Sequence, residues 1–198
     1  MLEEAIITGP SLNWFAYFHL GVMRHHAGDF RGAQTAWEHS VNLTWSAWAV
    51  RCLGIVAWHE GRFDEALGYL LAAYRSQPDL VPLAVECGKC MIEAEQYQLF
   101  FQFFHDLPTS MQTLGRMRLL NAQSALKLGY LIKVKQFFDD GVVVEDLREG
   151  EKALSDLWFE YHKQLASAEK DFDTDISILN QIREDYQLPP EFDFRMKS

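Results

Sequence analysis

The sequence predicts an all-α fold built from stacked helical repeats, and three observations predict it. Leu20-Gly21, Leu53-Gly54 and Cys87-Gly88 fall 33 and then 34 residues apart. Each pair is followed by a second signal: Gly28-Asp29-Phe30 then Ala33, Gly61-Arg62-Phe63 then Ala66, and a weaker Glu95-Gln96-Tyr97 then Phe100. Apolar residues between these marks return at helical spacing. A period near 34 residues with one helix–turn–helix per period is the mark of a repeat solenoid.

A 34-position frame with Leu20 and Gly21 at positions 7 and 8 orders the elements. Repeat one opens at Trp14, and its helices are expected at 14–27 and 30–43. Repeat two opens near Ala47, with helices at 47–60 and 63–76, and closes at Pro78, which stops a helix. Repeat three supplies 81–94 and 97–106. Gly at position 8 and small residues at positions 20 and 27 let neighbouring helices approach. The bulky residue at position 24 fills the space between them. Gly28 and Gly61 suit helix ends that turn left-handed. Over 115–140 only spacing and apolar periodicity survive, with Gly129 in the turn and Val134 and Phe138 as core residues. Gly141 and Val142-Val143-Val144 read as a connector. Leu154, Leu157, Trp158, Tyr161 and Leu165 then predict a helix at 152–169. Ile176, Leu179 and Ile182 predict another at 174–186, ended by Pro189-Pro190. Phe192, Phe194 and Met196 alternate with charged residues, a period of two that reads as an extended tail with one apolar face. The expected organisation is therefore repeats over 1–140 (14–46, 47–80, 81–114 and a degenerate 115–140), then a helical cap and tail over 141–198. In all, about five antiparallel helix pairs are expected.

These residues resemble the tetratricopeptide repeat family, well over 14–80 and fairly over 81–108. Tyr17 and Val50 stand where the family often has Trp. The segments "DLREGEKALSDLWFEYHKQLA" and "LPPEFDFRM" also resemble the C-terminal end of large bacterial proteins of unassigned function. Those proteins carry a β-rich, carbohydrate-related domain upstream of their repeats. That second resemblance implies that the chain is the C-terminal part of a longer protein. Neither resemblance supplies a catalytic residue.

Bulk properties bound the chemistry. The 198 residues can bury a sizeable core. The net charge of −10 argues against duplex nucleic acid or an anionic membrane as partner of the surface as a whole. Three cysteines do not make a disulfide framework, so a reducing, cytoplasmic setting is expected. No apolar run reaches the roughly 20 residues of a membrane-spanning helix. Cys87-Gly-Lys-Cys90 lacks both the strand and helix start of a redox motif and the second pair of a zinc site. The frame puts Cys87 mid-helix in the core. His25, His26 and His59 take positions 12 and 13 of adjacent repeats. One repeat of separation is roughly 10 Å, too far for two imidazoles to share a zinc with bonds near 2 Å. Near helix ends they are explained by the negative C-terminal dipole. The paired acids Asp139-Asp140 and Glu149/Glu151 are neighbours in sequence and do not flank a cleft as glycoside hydrolysis requires. Most aromatics read as core packing: Trp37, Phe100, Phe104 and Phe138 on second-helix phases, Trp14, Trp45 and Trp48 near repeat junctions. No cofactor or metal is expected, and no catalysis.

The resemblance to tetratricopeptide repeats implies that positions 2, 5, 9, 12 and 13 of the first helices line a concave groove. Those positions include Phe18, His25, His26, Arg51, Ile55, Trp58, His59 and Lys89, with Arg116 from the degenerate repeat. Basic and aromatic residues thus gather there although the chain is acidic. This suits an extended acidic segment or a docked neighbouring domain, and binding that weakens with salt. The carboxylate clamp of chaperone-binding members needs Lys and Asn where this chain has Phe18 and Val22, and Asn where it has Cys52. That specific activity is not expected. The leading function is a non-catalytic scaffold for protein–protein or interdomain contacts. Two alternatives are an accessory module of a carbohydrate-active enzyme, and a metal-binding or redox module using Cys87, Cys90 and histidines.

Overall fold

The computed structural model describes residues 13–141, 144, 152–169 and 182–194. Ten α-helices fall within them: α1 Trp14–His26, α2 Phe30–Leu43, α3 Ala47–His59, α4 Phe63–Ser76, α5 Val81–Glu93, α6 Tyr97–Asp106, α7 Thr109–Gln112, α8 Gly115–Lys127, α9 Leu131–Asp139 and α10 Ala153–Glu169. Among the described residues there is no strand. No helix there is long and apolar enough to cross a membrane. The first six helices sit where the 34-residue frame places them, each to within one residue. The one-turn α7 is an addition that the frame does not contain.

The chain divides into two compact units, Met1–Ala94 and Glu95–Ser198. In the first unit α1 to α5 pack in succession, each helix against the next. The repeat logic is visible at position 8. A Cβ on Gly21 would lie 2.3 Å from Nε1 of Trp37, and one on Gly54 would lie 3.0 Å from Cγ of Leu70. Trp37 and Leu70 are the position-24 residues of the same repeats. Ala33, Ala36, Ala66 and Ala73 are buried beside them. Hydrogen bonds pin the first pair: Trp37 Nε1 donates to Phe18 O at 3.1 Å, and Ser40 Oγ to Trp14 O at 2.8 Å. These buried polar groups are thereby satisfied, as a dense core requires.

Position 15 sets the turns. Gly28, Gly61 and Gly129 all have positive φ, at 84°, 74° and 76°. Asp29 N donates to Arg24 O, Arg62 N to Ala57 O and Tyr130 N to Ala125 O, each six residues apart inclusive. This is the Schellman closure of a helix end, which needs a left-handed residue. Repeat three has Glu95 at the same position with φ 57°, the non-glycine exception. Asn13 and Asp29 cap the starts of α1 and α2 by accepting from Phe15 N and Gly32 N, each at 2.9 Å.

In the second unit α8 is central: α6, α7, α9 and α10 all pack on it. Its Leu119, Ala122, Ala125 and Leu126 share one core with Val134 and Phe137 of α9 and with Leu154, Leu157 and Tyr161 of α10. Val134 is buried as expected, but of the two phenylalanines of α9 it is Phe137, not Phe138, that is buried. Phe138 is partly exposed and meets the rings of Trp158 and Phe192, at 5.0 and 5.4 Å between centroids. Phe137 lies beside Phe104, Ala122 and Ala125, while Phe138 takes the side of α10. Phe192 is buried there, so the tail seats an aromatic on the last helices. Period two does not show how it gets there. Pro190–Phe192 form one 3-10 turn, closed by Phe192 N donating to Pro189 O. Proline's fixed φ favours that turn.

Other expectations are corrected. Trp45 and Trp48 are each 50% exposed and are not core. Asp139 and Asp140 stand at the C-terminal end of α9, where the dipole disfavours them. Lys135 and Arg118 pair with them. Glu149, Glu151 and residues 174–181 of the expected last helix lie outside the described residues. The helical stretch at 182–185 falls within that expectation.

Candidate functional site

The first helices of the first unit, α1, α3 and α5, carry the groove positions. The repeat period brings equivalent residues of α3 and α5 side by side, and two polar links join them. Arg51 Nε donates to Glu86 Oε2 at 2.7 Å, and Arg51 Nη2 donates to the other oxygen of the same carboxylate. Trp58 Nε1 donates to Glu93 Oε2 at 2.6 Å. Both links join residues 35 apart, one period plus one. The Arg51 guanidinium is held above its ordinary pKa, chiefly by the Glu86 hydrogen bond. The pair is a bidentate fork, partly exposed at 33% and 19%. Such a pair contributes about 1 kcal/mol at most in that setting.

This changes the electrostatics of the face. Arg51, one of the basic residues expected on this face, is neutralised by Glu86. The N–H of Trp58 is committed to Glu93. Lys89, half-buried on α5, makes no ion pair among the described residues. His26 and His59 are exposed. Arg116 belongs to the second unit, on α8, and is only 9% exposed.

Between α1 and α3 the same lateral positions are filled differently. Phe18 and Cys52 replace the Arg51/Glu86 pair, and His25 and His59 replace Trp58/Glu93. Here lies a depression of about 290 Å³, lined by Phe18, Val22, His25 and Trp37 on one side and by Arg51, Cys52 and Ile55 on the other. His25 meets the edges of its neighbours, 5.1 Å from Phe30 and 5.7 Å from Trp37 between centroids. Val22 is 42% exposed and Phe15, at position 2 of the same helix, is 52% exposed. The surface is therefore mainly apolar, with one guanidinium at its edge. Of the nine residues expected at the site, Phe18, His25, Arg51 and Ile55 line the depression, and Trp58 lies outside it, bonded to Glu93.

The cysteines are poor nucleophiles. Cys87 and Cys90 are fully buried on α5, and burial pushes their thiols up, to about 12 and about 11. Cys52, half-buried, is raised to about 11 by the same cause. Among the described residues no group of three or more His, Cys, Asp or Glu side chains is placed to hold a metal ion.

Glu86 and Cys52 are the residues that sequence reasoning missed. Glu86 carried a readable signal, because it stands 35 residues after Arg51, as Glu93 does after Trp58. Cys52 was noted only as a departure from the clamp pattern.

No family model matches the chain, and no curated protein matches it in sequence. Solved structures do match. PilF from Pseudomonas aeruginosa superposes with a TM-score of 0.63 at 15% identity, over 96% of this chain and 84% of that one. A tetratricopeptide repeat protein from Parabacteroides merdae gives 0.68 at 18%, over 93% and 75%. MamA from Desulfovibrio magneticus gives 0.63 at 14%, over 88% and 97%. At these identities the likeness speaks for the fold, and the fold of this chain is the tetratricopeptide-type helical repeat.

Proposed function

We propose that this chain is a non-catalytic scaffold whose first unit receives an apolar side chain from a protein segment or a neighbouring domain. The observation that carries the reading is the apolar depression between α1 and α3, left open where the next crevice is bridged by Arg51–Glu86 and Trp58–Glu93. Its volume is that of one or two large side chains rather than a whole ligand, which suits an anchor residue of an extended segment. Repeat folds of this kind present such surfaces through their first helices. The C-terminal resemblance makes the upstream part of a longer polypeptide the first partner to test, in a reducing compartment and without nucleic acid or membrane.

The test is a titration of the chain with that upstream region, comparing wild type with Val22→Glu, Arg51→Glu and Trp58→Ala. Val22→Glu places a charge at the mouth of the depression and is expected to weaken binding at least tenfold. Arg51→Glu sets two carboxylates against each other and is expected to weaken it as well. Trp58→Ala lies further off and is expected to act less. Because Glu86 already balances Arg51, salt should weaken binding only modestly. Equal binding by all four proteins would eliminate this face.

A further inference from the structure

Position 7 of the frame is a core position: Leu20, Leu53 and Cys87 are all buried there. In the degenerate repeat the same position is Asn121. Its Oδ1 is shielded from solvent and accepts no hydrogen bond. A buried acceptor without a donor is costly, and such groups are few in native proteins. Asn121 lines a cavity of about 430 Å³ between α6, α7, α8 and α9. Phe104, Ala122 and Phe137 give it an apolar floor. Arg118 and Lys133 stand on its wall with Asp140. Arg118 is paired with Asp140. Lys133 Nζ lies 4.3 Å from the ring centroid of Phe101 and has no carboxylate partner among the described residues. The wall thus holds two cations against one carboxylate, on a chain of net charge −10.

We propose that this cavity binds a small organic anion that also carries a hydroxyl or N–H donor. The anionic group meets Lys133 and the guanidinium of Arg118. The donor meets Asn121 Oδ1, and the carbon skeleton lies on the apolar floor. The volume falls within the range of small-molecule sites. The site is lined by residues of the second unit and shares none with the depression of the first. The same chemistry has two sources: a free hydroxy acid, or an acidic side chain beside a backbone N–H of a peptide.

The experiment is an NMR titration of the full chain with four probes. Gluconate has both the carboxylate and the donors. Hexanoate lacks the donors, and sorbitol lacks the charge. Acetyl-Gly-Asp-Gly-amide offers the peptide version. Gluconate or the peptide is expected to shift the Asn121 side-chain and Lys133 amide signals and to bind at least tenfold more tightly than hexanoate or sorbitol. Which of the two binds identifies the source. Lys133→Met, at an exposed residue, should weaken that binding at least tenfold. Asn121→Leu should do the same while leaving the chain at least as resistant to urea as wild type, because it restores the core residue of the other repeats. Should neither probe bind up to 20 mM, or should both variants bind as wild type does, the proposal is overturned.

Discussion

Replacing a helical glycine by alanine usually stabilises a protein, and at Gly21 the structure predicts the opposite. A Cβ there would lie 2.3 Å from Nε1, 2.5 Å from Cδ1 and 2.7 Å from Cε2 of Trp37. The indole is 3% exposed and its N–H is bound to Phe18 O, so it has no room to retreat. Gly68, on the exposed side of α4, would meet nothing within 4 Å. Gly54 is intermediate, with Leu70 Cγ at 3.0 Å and Tyr69 Cβ at 3.1 Å. The helix-propensity gain is about 0.5–1 kcal/mol at each site. Overpacking costs about 1–3 kcal/mol, and the indole contact belongs at the upper end of that range. Gly68→Ala should therefore gain about 0.5–1 kcal/mol, and Gly21→Ala should lose about 2 kcal/mol net. Gly54→Ala should fall between them, and Gly54→Leu below it. Urea unfolding followed by helical circular dichroism measures all four, and the order of midpoints is the test. A Gly21→Ala variant as stable as wild type would refute the packing argument for position 8.

Glu95 occupies a left-handed turn at φ 57° where the equivalent residues are glycines. The left-handed penalty for a side chain, about 1–2 kcal/mol, exceeds the entropic cost of glycine, about 0.5–1 kcal/mol. Glu95→Gly should therefore raise the urea midpoint, and a lower midpoint would contradict this. Thiol labelling at pH 8 should be slow for Cys87 and Cys90, since burial holds them near 12 and 11 and leaves under about one thiolate in a thousand. Fast stoichiometric labelling of the native chain would count against the buried assignment. His162 is shielded, with neither ring nitrogen hydrogen-bonded, and stacks on Tyr186 at 4.0 Å. Burial lowers its pKa below 6.5, so the unfolded chain binds a proton more readily than the folded one. Its contribution to stability is full above pH 6.5 and is lost as pH falls through 6.5 toward the folded pKa. His162→Phe keeps the ring contact and should remove that part of the pH dependence, as urea midpoints at pH 5 and pH 8 would show.

The helices of the first two repeats were legible because small residues at positions 8 and 20 and glycines at position 15 recur at one period. Each of those residues is dictated by a helix–helix distance or a backbone angle, which sequence records directly. Repeat three keeps only Gly88 of these, with Glu95 and Phe100 at positions 15 and 20. The one-turn α7 was not legible. There Gln112 reaches back to His105 O and Leu107 O, a local side-chain closure without a repeat signature. The shift of the core from Phe138 to Phe137 was hidden for a similar reason. Both rings pack, Phe137 beside Phe104 and Ala122 and Phe138 against α10, and two adjacent phenylalanines give no period to choose between them. At the groove, residue types were readable but their partners were not. Arg51 looked basic only until Glu86, on another helix, was placed against it.

The lateral positions of the first helices explain where the first unit is open. Residues one period plus one apart face each other on neighbouring first helices, 34 apart from α1 to α3 and 35 apart from α3 to α5, so each crevice has a pair at positions 5 and 6 and a pair at positions 12 and 13. Between α3 and α5 these are Arg51/Glu86 and Trp58/Glu93, and both are bonded. Between α1 and α3 they are Phe18/Cys52 and His25/His59. A phenyl ring and a thiol form no directional bond to draw the helices together, and the depression lies at that level. The bonded crevice buries little new surface for a partner, because its polar groups already satisfy one another. At the open crevice an incoming apolar side chain would cover Phe18, Val22 and Ile55 without breaking a hydrogen bond. On the proposed reading the free-energy gain on binding would therefore be concentrated at α1 and α3, although Trp58, Arg51 and Lys89 are the residues that composition alone makes most conspicuous.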